Sequence, residues 1–260
     1  MHQAVGIAIE RVATHGVVTF AMRRSHHIAC LATLAKLVTD RGCIAILATS
    51  DPAFGFVAPY GGREPLLTPN PFAIGYPGTR TPVLIDMCAS ITTVSMTRQK
   101  AAAGETFEQP WLLDAAGRPT SDPRVLEQTD PRGSLLLLGG LEYGHKGFGL
   151  ALMVEALTQG LSGLGRKDTE KRWGGNVFLQ VLDPDAFAGR AAFLGQMDFL
   201  TEACQASAPL HEGVPVRMPG ERAEQSLAAA RESGVVLAEH TLQRLSDTAA
   251  RFGLVMPPAL

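Results

Sequence analysis

Gly144-His145-Lys146-Gly147-Phe148-Gly149-Leu150 runs on as Ala151-Leu152-Met153-Val154-Glu155-Ala156-Leu157-Thr158-Gln159-Gly160-Leu161-Ser162-Gly163. Three closely spaced glycines open the stretch. They let the backbone turn tightly and come close to something large and flat. The segment behind them is apolar except for Glu155, Thr158 and Gln159, the pattern of a helix buried on nearly every side. The first amides of such a helix have no partner within it, so its N-terminus favours an anion. With Lys146 inside the turn, Lys146 and Gly147 form a candidate phosphate seat. The same residues also fit a core helix with a glycine-rich entry and a solvated lysine.

The rest of the chain supplies a core for such a helix. It has 260 residues, 46% hydrophobic and 18% charged, a balance with ample material for one large domain or two modest ones. A net charge of −2 argues against a nucleic-acid partner. Basic residues are scattered, apart from Arg166-Lys167 and Lys171-Arg172, which read as an exposed loop. The longest apolar run is broken by Glu155, which argues against a membrane span, and residues 1–12 lack a signal-peptide pattern. Cys30, Cys43, Cys88 and Cys204 lie far apart without a CxxC pair. That spacing suits buried apolar residues in a reducing cytoplasm better than a disulfide framework or a metal cluster.

From the N-terminus, residues 3–15 have helical periodicity and Gly16 is a natural stop. Residues 17–22 are β-rich. Ser25 is then a candidate N-cap, which places His26 and His27 in the first turn of a helix running to Val38. A neutral imidazole there can take a proton from a hydroxyl, and an imidazolium can return one to a carbonyl. Two exposed histidines on a capped helix start fit the same spacing. A second strand, residues 44–48, completes a β-α-β unit that favours a parallel pair. Ser50 follows at its carboxyl end, where ligands gather in α/β folds. Residues 55–82 are dense in Gly and Pro but threaded with apolar side chains, the mark of an ordered loop layer that lines a site. Residues 83–87 read as a strand bearing Asp86 near its end, either a ligand contact or a turn cap.

Residues 90–103 suggest a helix, 111–123 a turn-dense surface segment and 164–175 a mobile polar connection. A strand over 176–182 and an amphipathic helix over 187–206 follow. Residues 214–221 read as strand and turn, ahead of helices at 222–233 and 239–252.

Taken together, these motifs resemble the malate/L-lactate dehydrogenase family of NAD(P)-dependent oxidoreductases. That group is distinct from the Rossmann-type dehydrogenases and includes ureidoglycolate dehydrogenase, sulfolactate dehydrogenase, diketogulonate reductase and piperideine-2-carboxylate reductase. The matching stretches are Ser25-His26-His27-Ile28-Ala29, Val57 through Leu67, Asn70-Pro71-Phe72-Ala73-Ile74-Gly75, Ile85-Asp86-Met87-Cys88-Ala89-Ser90, Asp114 through Pro123, Lys146-Gly147-Phe148-Gly149-Leu150 and Pro219-Gly220-Glu221. They occur in the family's order across nearly the whole chain.

The resemblance implies an α/β fold peculiar to the family, a non-Rossmann layered arrangement with a mixed sheet flanked by helices. It spans residues 1–260, with a cofactor-binding core over roughly residues 17–165, and usually forms a homodimer. It places the family's proton-transferring His at His27, with Asp86 near it. NAD or NADP would be held by Ser50, Asp86, Met87, Cys88, Lys146, Gly147, Pro219, Gly220 and Glu221. Asn70 matches the family's substrate loop, and Arg63 is a candidate clamp for the substrate carboxylate. Departures from the pattern are Pro69 for Thr, Cys88 for Ala and Ser95-Met96 for Gly-Lys. The family's opening Ser-His-Gly…Arg segment has no match, so the expectation is a chain lacking it. The expected activity is hydride transfer between NAD(P)H and a small 2-oxo/2-hydroxy acid or cyclic imine carboxylate; the alternative is a truncated, catalytically impaired cofactor-binding relic.

Overall fold

Runs of β-branched and aliphatic residues set the main sheet. The computed structural model describes residues 1–129, 131–168 and 174–256, in two units, Met1–Met218 and Pro219–Leu260. In the first unit, α1 (His2–His15) ends at Gly16, whose φ of 71° suits glycine. Then come β1 (Val17–Ser25), α2 (Leu31–Thr39), β2 (Ile44–Ser50), β3 (Pro71–Tyr76), β4 (Val83–Cys88) and α3 (Val94–Ala103). Short strands β5 (Leu112–Leu113), β6 (Pro119–Thr120) and β7 (Ser134–Leu135) precede α4 (Gly140–Glu155). A π-helical turn (Ala156–Gly160) continues α4, and β8 (Gly175–Leu182) and α5 (Arg190–Gln205) follow.

The main sheet has the order β1-β8-β2-β3-β4, and every neighbouring pair is antiparallel. The layered α/β architecture is as expected, but the mixed sheet with a parallel β1–β2 pair is not what forms. Both strands run the same way, yet β8 lies between them and pairs with each. A helical crossover fixes direction without requiring adjacency, so a strand from far along the chain can fill the gap. β8 is buried on both faces, as its Val177-Phe178-Leu179 run allows. Leu179 and Val181 pack with Val12 of α1, Leu34 and Val38 of α2 and Leu47 of β2. Phe178 packs on the other face against Ala48 and Val154 of α4. Helices therefore cover both sides of the sheet.

The Gly/Pro-rich region is ordered, as expected. Phe56 N–H and Val57 N–H both donate to the Leu67 carbonyl (2.8 and 2.9 Å). Its density of Gly and Pro hides a strand: β3 tolerates Pro71 as its first residue. At Gly75 a Cβ would lie 3.0 Å from Ala35 and Thr39, so glycine lets α2 lie close. The segment 111–123 is less superficial than its turns suggest, since Leu112 is fully buried among Val57, Phe107 and Leu135. Residues 214–218 form no strand; Pro215 removes a ladder donor there. In the second unit, α6 (Glu221–Ser233) and α7 (Glu239–Arg251) form where expected.

The opening stretch differs most from its sequence reading. α4 starts at Gly140, so Gly144, Lys146, Gly147 and Gly149 lie inside the helix rather than in a turn before it. Nor is α4 buried all round: Leu141 and Leu152 are each 50% exposed, while Gly144, Gly147, Ala151 and Val154 form the buried stripe. The glycines are there for packing. A Cβ on Gly147 would sit 2.5 Å from Leu138 N and 2.8 Å from Ala89 O, whereas one on Gly149 meets nothing within 4 Å. Gly147→Ala is therefore expected to cost about 1–3 kcal/mol by the scale of overpacked cores. Gly149→Ala should gain up to about 1 kcal/mol from helix propensity. Thermal unfolding of the two variants checks both signs.

Candidate active site

The link between β1 and α2 does not begin a helix at Ser25. Ser25 ends β1, and α2 starts at Leu31 with Cys30 as N-cap and no side-chain cap from its own segment. Asp86 of β4 supplies the cap instead: its Oδ2 accepts the Ala32 amide at 2.8 Å and the Cys30 thiol at 3.3 Å. A carboxylate there also complements the helix dipole. His26 and His27 lie in the exposed link between. Ala29, held at φ 58°, donates its N–H to His27 Nδ1 at 3.1 Å. A neutral imidazole accepting at Nδ1 carries its proton on Nε2, so Nε2–H is the free donor.

His27, Asp86, Ser50 and Cys88 all line one cavity of about 460 Å³, with Phe54 and Phe56 among its walls. β1, β2 and β4 run in one direction, and the carboxyl ends of all three reach this region: His27 follows β1, Ser50 ends β2 and Cys88 ends β4. Asp86 and Cys88, two apart on a strand, share a face. Met87 stands opposite Phe72 in the register and does not line the cavity. Burial first and the nearby Asp86 charge second push the Cys88 thiol up to about 11, against a smaller lowering by a hydrogen bond with Ser90.

Behind the cavity wall lies a polar knot that sequence reading only half located. Glu155 Oε1 accepts from Ser50 Oγ (2.8 Å), Asn70 Nδ2 (2.9 Å) and Arg166 Nη2 (2.8 Å). Ser50 Oγ also accepts from Gln159 Nε2 (3.0 Å) and Arg166 Nη2 (3.2 Å). Its one proton and both lone pairs are thus in use. Asn70, fully buried at φ 49°, donates also to the Ala151 carbonyl and accepts from Thr68. Ser50 and Asn70 are tied into the protein's own framework. Arg166 was expected in an exposed loop, but its side chain is only 18% exposed; its other amino group donates to the Phe54 carbonyl. The Lys171-Arg172 pair falls within residues 169–173, outside the described residues, as does the middle of the polar connection expected over 164–175. The signal for Glu155 was present: a lone carboxylate in an apolar helix demands a partner.

Lys146, Gly147 and Arg63 lie elsewhere in the first unit. Lys146 is exposed on α4, its Nζ 5.2 Å from the Tyr143 ring centre, and does not line the His27 cavity; neither does Gly147. Arg63 lines a separate cavity with Arg132. Pro219, Gly220 and Glu221 open the second unit, where Gly220 at φ 100° is the N-cap of α6. Among the described residues, no group of three His, Cys, Asp or Glu side chains could hold a metal ion, and no helix is long and apolar enough to cross a membrane.

The family profile for malate/L-lactate dehydrogenase matches residues 1–246. The chain belongs to this family. It is 29% identical to the L-sulfolactate dehydrogenase of Methanothermobacter thermautotrophicus over 252 residues, covering 94% of this chain and 69% of that protein. It is 30% identical over 251 residues to the Delta(1)-pyrroline-2-carboxylate/Delta(1)-piperideine-2-carboxylate reductase of Pseudomonas putida, covering 93% and 69%. The solved delta1-piperideine-2-carboxylate reductase of Pseudomonas syringae superposes with a TM-score of 0.77 at 28% identity, covering 95% of this chain and 72% of that one. These relatives are dehydrogenases and reductases acting on hydroxy acids or imine carboxylates.

Two outcomes follow from the site's chemistry. Glu155→Gln keeps the shape but strips Arg166 of its counter-ion, so urea unfolding should show a loss of about 3 kcal/mol, and Glu155→Gln/Arg166→Met less than the sum of the single losses. Because the thiolate is the reactive form, iodoacetamide should label exposed Cys30 well before Cys88, whose labelling should rise only as pH approaches about 11, as read by peptide mass mapping.

Proposed function

We propose that the protein is an NAD(P)-dependent oxidoreductase. It moves a hydride between the nicotinamide and the C2 carbon of a small 2-oxo/2-hydroxy acid, or the C=N carbon of a cyclic imine carboxylate. One observation carries the reading: the His27 imidazole and the Asp86 carboxylate border a single cavity at the carboxyl ends of β1, β2 and β4, the edge where α/β sheets bind ligands. The residues fit the cofactor's reactive end. A volume of about 460 Å³ is in the range of small-molecule sites. Ile28, Phe54, Phe56 and Pro71 offer flat apolar walls for a ring, and Asp86 Oδ1 is left available for a ribose hydroxyl, since both its hydrogen bonds use Oδ2.

The hydride chemistry is the nicotinamide's own once it is bound. The chain's part is orientation and the proton. His27 Nε2–H donates to the substrate oxygen or nitrogen as that atom gains charge, while the Ala29 amide holds the ring by Nδ1. The N-terminus of α3 borders the cavity and offers its positive end to a substrate carboxylate, while Asp86 already occupies that of α2. Free thiols at all four cysteines fit residence in a reducing cytoplasm. Exposed Leu141, Tyr143, Leu152 and Met153 on α4 support a homodimer.

A second reading, a cofactor-binding protein without turnover, draws on a different observation. Among the described residues, no arginine or lysine lines the His27 cavity to clamp a carboxylate. Oxidation of NADH and NADPH with pyruvate, oxaloacetate and piperideine-2-carboxylate separates the two. The leading reading expects turnover, with His27→Asn lowering kcat by about 10²–10⁴ and leaving cofactor binding unchanged. Binding without turnover would support the second reading, and no binding at millimolar cofactor would end both.

A further inference from the structure

Two of the four cysteines, Cys30 and Cys88, line the His27 cavity. The other two stand apart: Cys43 is buried in the core with Leu34 and Val38, and Cys204 lies on α5. Asp86 ties the cavity pair together. The Cys30 thiol donates to Asp86 Oδ2 at 3.3 Å, and Cys88 is two residues beyond Asp86 on the same face of β4. Same-face neighbours on a strand are about 7 Å apart. The Ala32 amide, 2.8 Å from the same carboxylate oxygen, holds the start of α2 over this stretch. A disulfide brings its two Cβ atoms to about 3.8 Å, so one partner must move toward the other. Their backbones differ in freedom. Cys88 ends β4 opposite Pro71, and the next amide, Ala89 N–H, donates to the Pro69 carbonyl at 2.9 Å. Cys30 closes the link after β1, which lies outside helix and strand. The link is the part that can travel.

The thiols differ in access as well. Cys30 is exposed, whereas Cys88 is partly covered and burial holds its thiol protonated. We propose that Cys30 and Cys88 are a thiol pair that a hydroperoxide converts to a reversible disulfide, and that the bridge closes the His27 cavity to its ligand. Cys30 meets the oxidant first. Its sulfur attacks the peroxide, an S–O bond forms and the O–O bond breaks. The leaving oxygen takes the thiol proton and departs as water or an alcohol. Sulfur gives up two electrons and the peroxide gains them. The Cys88 sulfur then attacks the Cys30 sulfur: the S–S bond forms, the S–O bond breaks, and hydroxide leaves as water with the Cys88 proton. Holding both sulfurs in one cavity offsets the weak nucleophilicity of a protonated thiol. A reducing compartment reverses such a bridge, as transient redox-sensing disulfides require. The bridge alters the site in two ways. Asp86 loses the thiol as a donor, and a link drawn toward β4 shifts Ala29, whose amide holds the His27 ring by Nδ1. The closure rests on the nicotinamide reading of the cavity; the bridge does not.

Peptide mass mapping of the full chain after hydrogen peroxide treatment, without reductant, tests the bridge. The Cys30 peptide should be linked to the Cys88 peptide and released by dithiothreitol, with Cys43 and Cys204 unlinked. Cys88→Ser should instead leave Cys30 as a sulfenic acid that dimedone captures. Fluorescence titration with NADPH and NADH reads the closure. Oxidation should weaken binding at least about tenfold, dithiothreitol should restore it, and Cys30→Ser should bind equally well before and after peroxide. Cys30 carried on to the sulfinic acid with no link to Cys88 would overturn the pair. A linked chain that binds nucleotide as tightly as the reduced one would overturn the closure. A reduced chain that binds neither nucleotide, while the link still forms, ends the nicotinamide reading and the closure with it and leaves the thiol pair standing.

Discussion

One carboxylate oxygen, Glu155 Oε1, collects donors from the end of β2, from the loop before β3 and from the connection that follows the π-helical turn. Those three pieces are Ser50, Asn70 and Arg166, separated by up to 116 residues in sequence. An ion pair this enclosed is poor evidence of stability, because desolvating both charges costs about what their attraction returns. It does dictate arrangement. A buried carboxylate with fewer partners would be strongly penalised, so competing placements of these segments are disfavoured. The π-helical turn next to Glu155 belongs to the same constraint: it buries Gln159, whose amide donates to Ser50 and accepts the Arg166 amide.

This knot stands directly behind the cavity, and it separates residues that hold the wall from residues that can meet a ligand. Ser50 has no hydrogen-bonding capacity left, and Asn70 has no exposed surface. His27 keeps Nε2 and Asp86 keeps Oδ1. Asp86 has a double role, since the oxygen that caps α2 also fixes its side chain beside the His27 link. Sheet topology provides the setting. With β8 inserted between β1 and β2, three strands of one direction end at a common edge although no two of them are neighbours.

Much of this was legible in the chain. The strands at 17–22, 44–48, 83–87 and 176–182, the helices at 3–15 and 90–103, and the order within the Gly/Pro-rich region all appear close to where periodicity puts them. His27, Ser50, Asp86 and Cys88 were picked out by motif and do share a cavity. The glycine cluster misled because glycine serves both turns and close packing, and only the neighbour shows which. At Gly147 that neighbour is the backbone of Leu138 and Ala89. The N-cap misled for a similar reason: Ser25 has the right chemistry locally, but a carboxylate 54 residues beyond Ala32 does the capping.

Sequence alone determined the α/β class, the family and the presence of an imidazole at position 27 and a carboxylate at position 86. All of these follow from local periodicity and from short motifs read along the chain. Tertiary structure alone decided that the sheet is antiparallel, that α4 begins at Gly140, that Glu155 and Arg166 form a buried pair, and that Arg63 belongs with Arg132 rather than with His27. Each of those depends on which distant segments come into contact, and burial and hydrogen-bond satisfaction are settled only when they do.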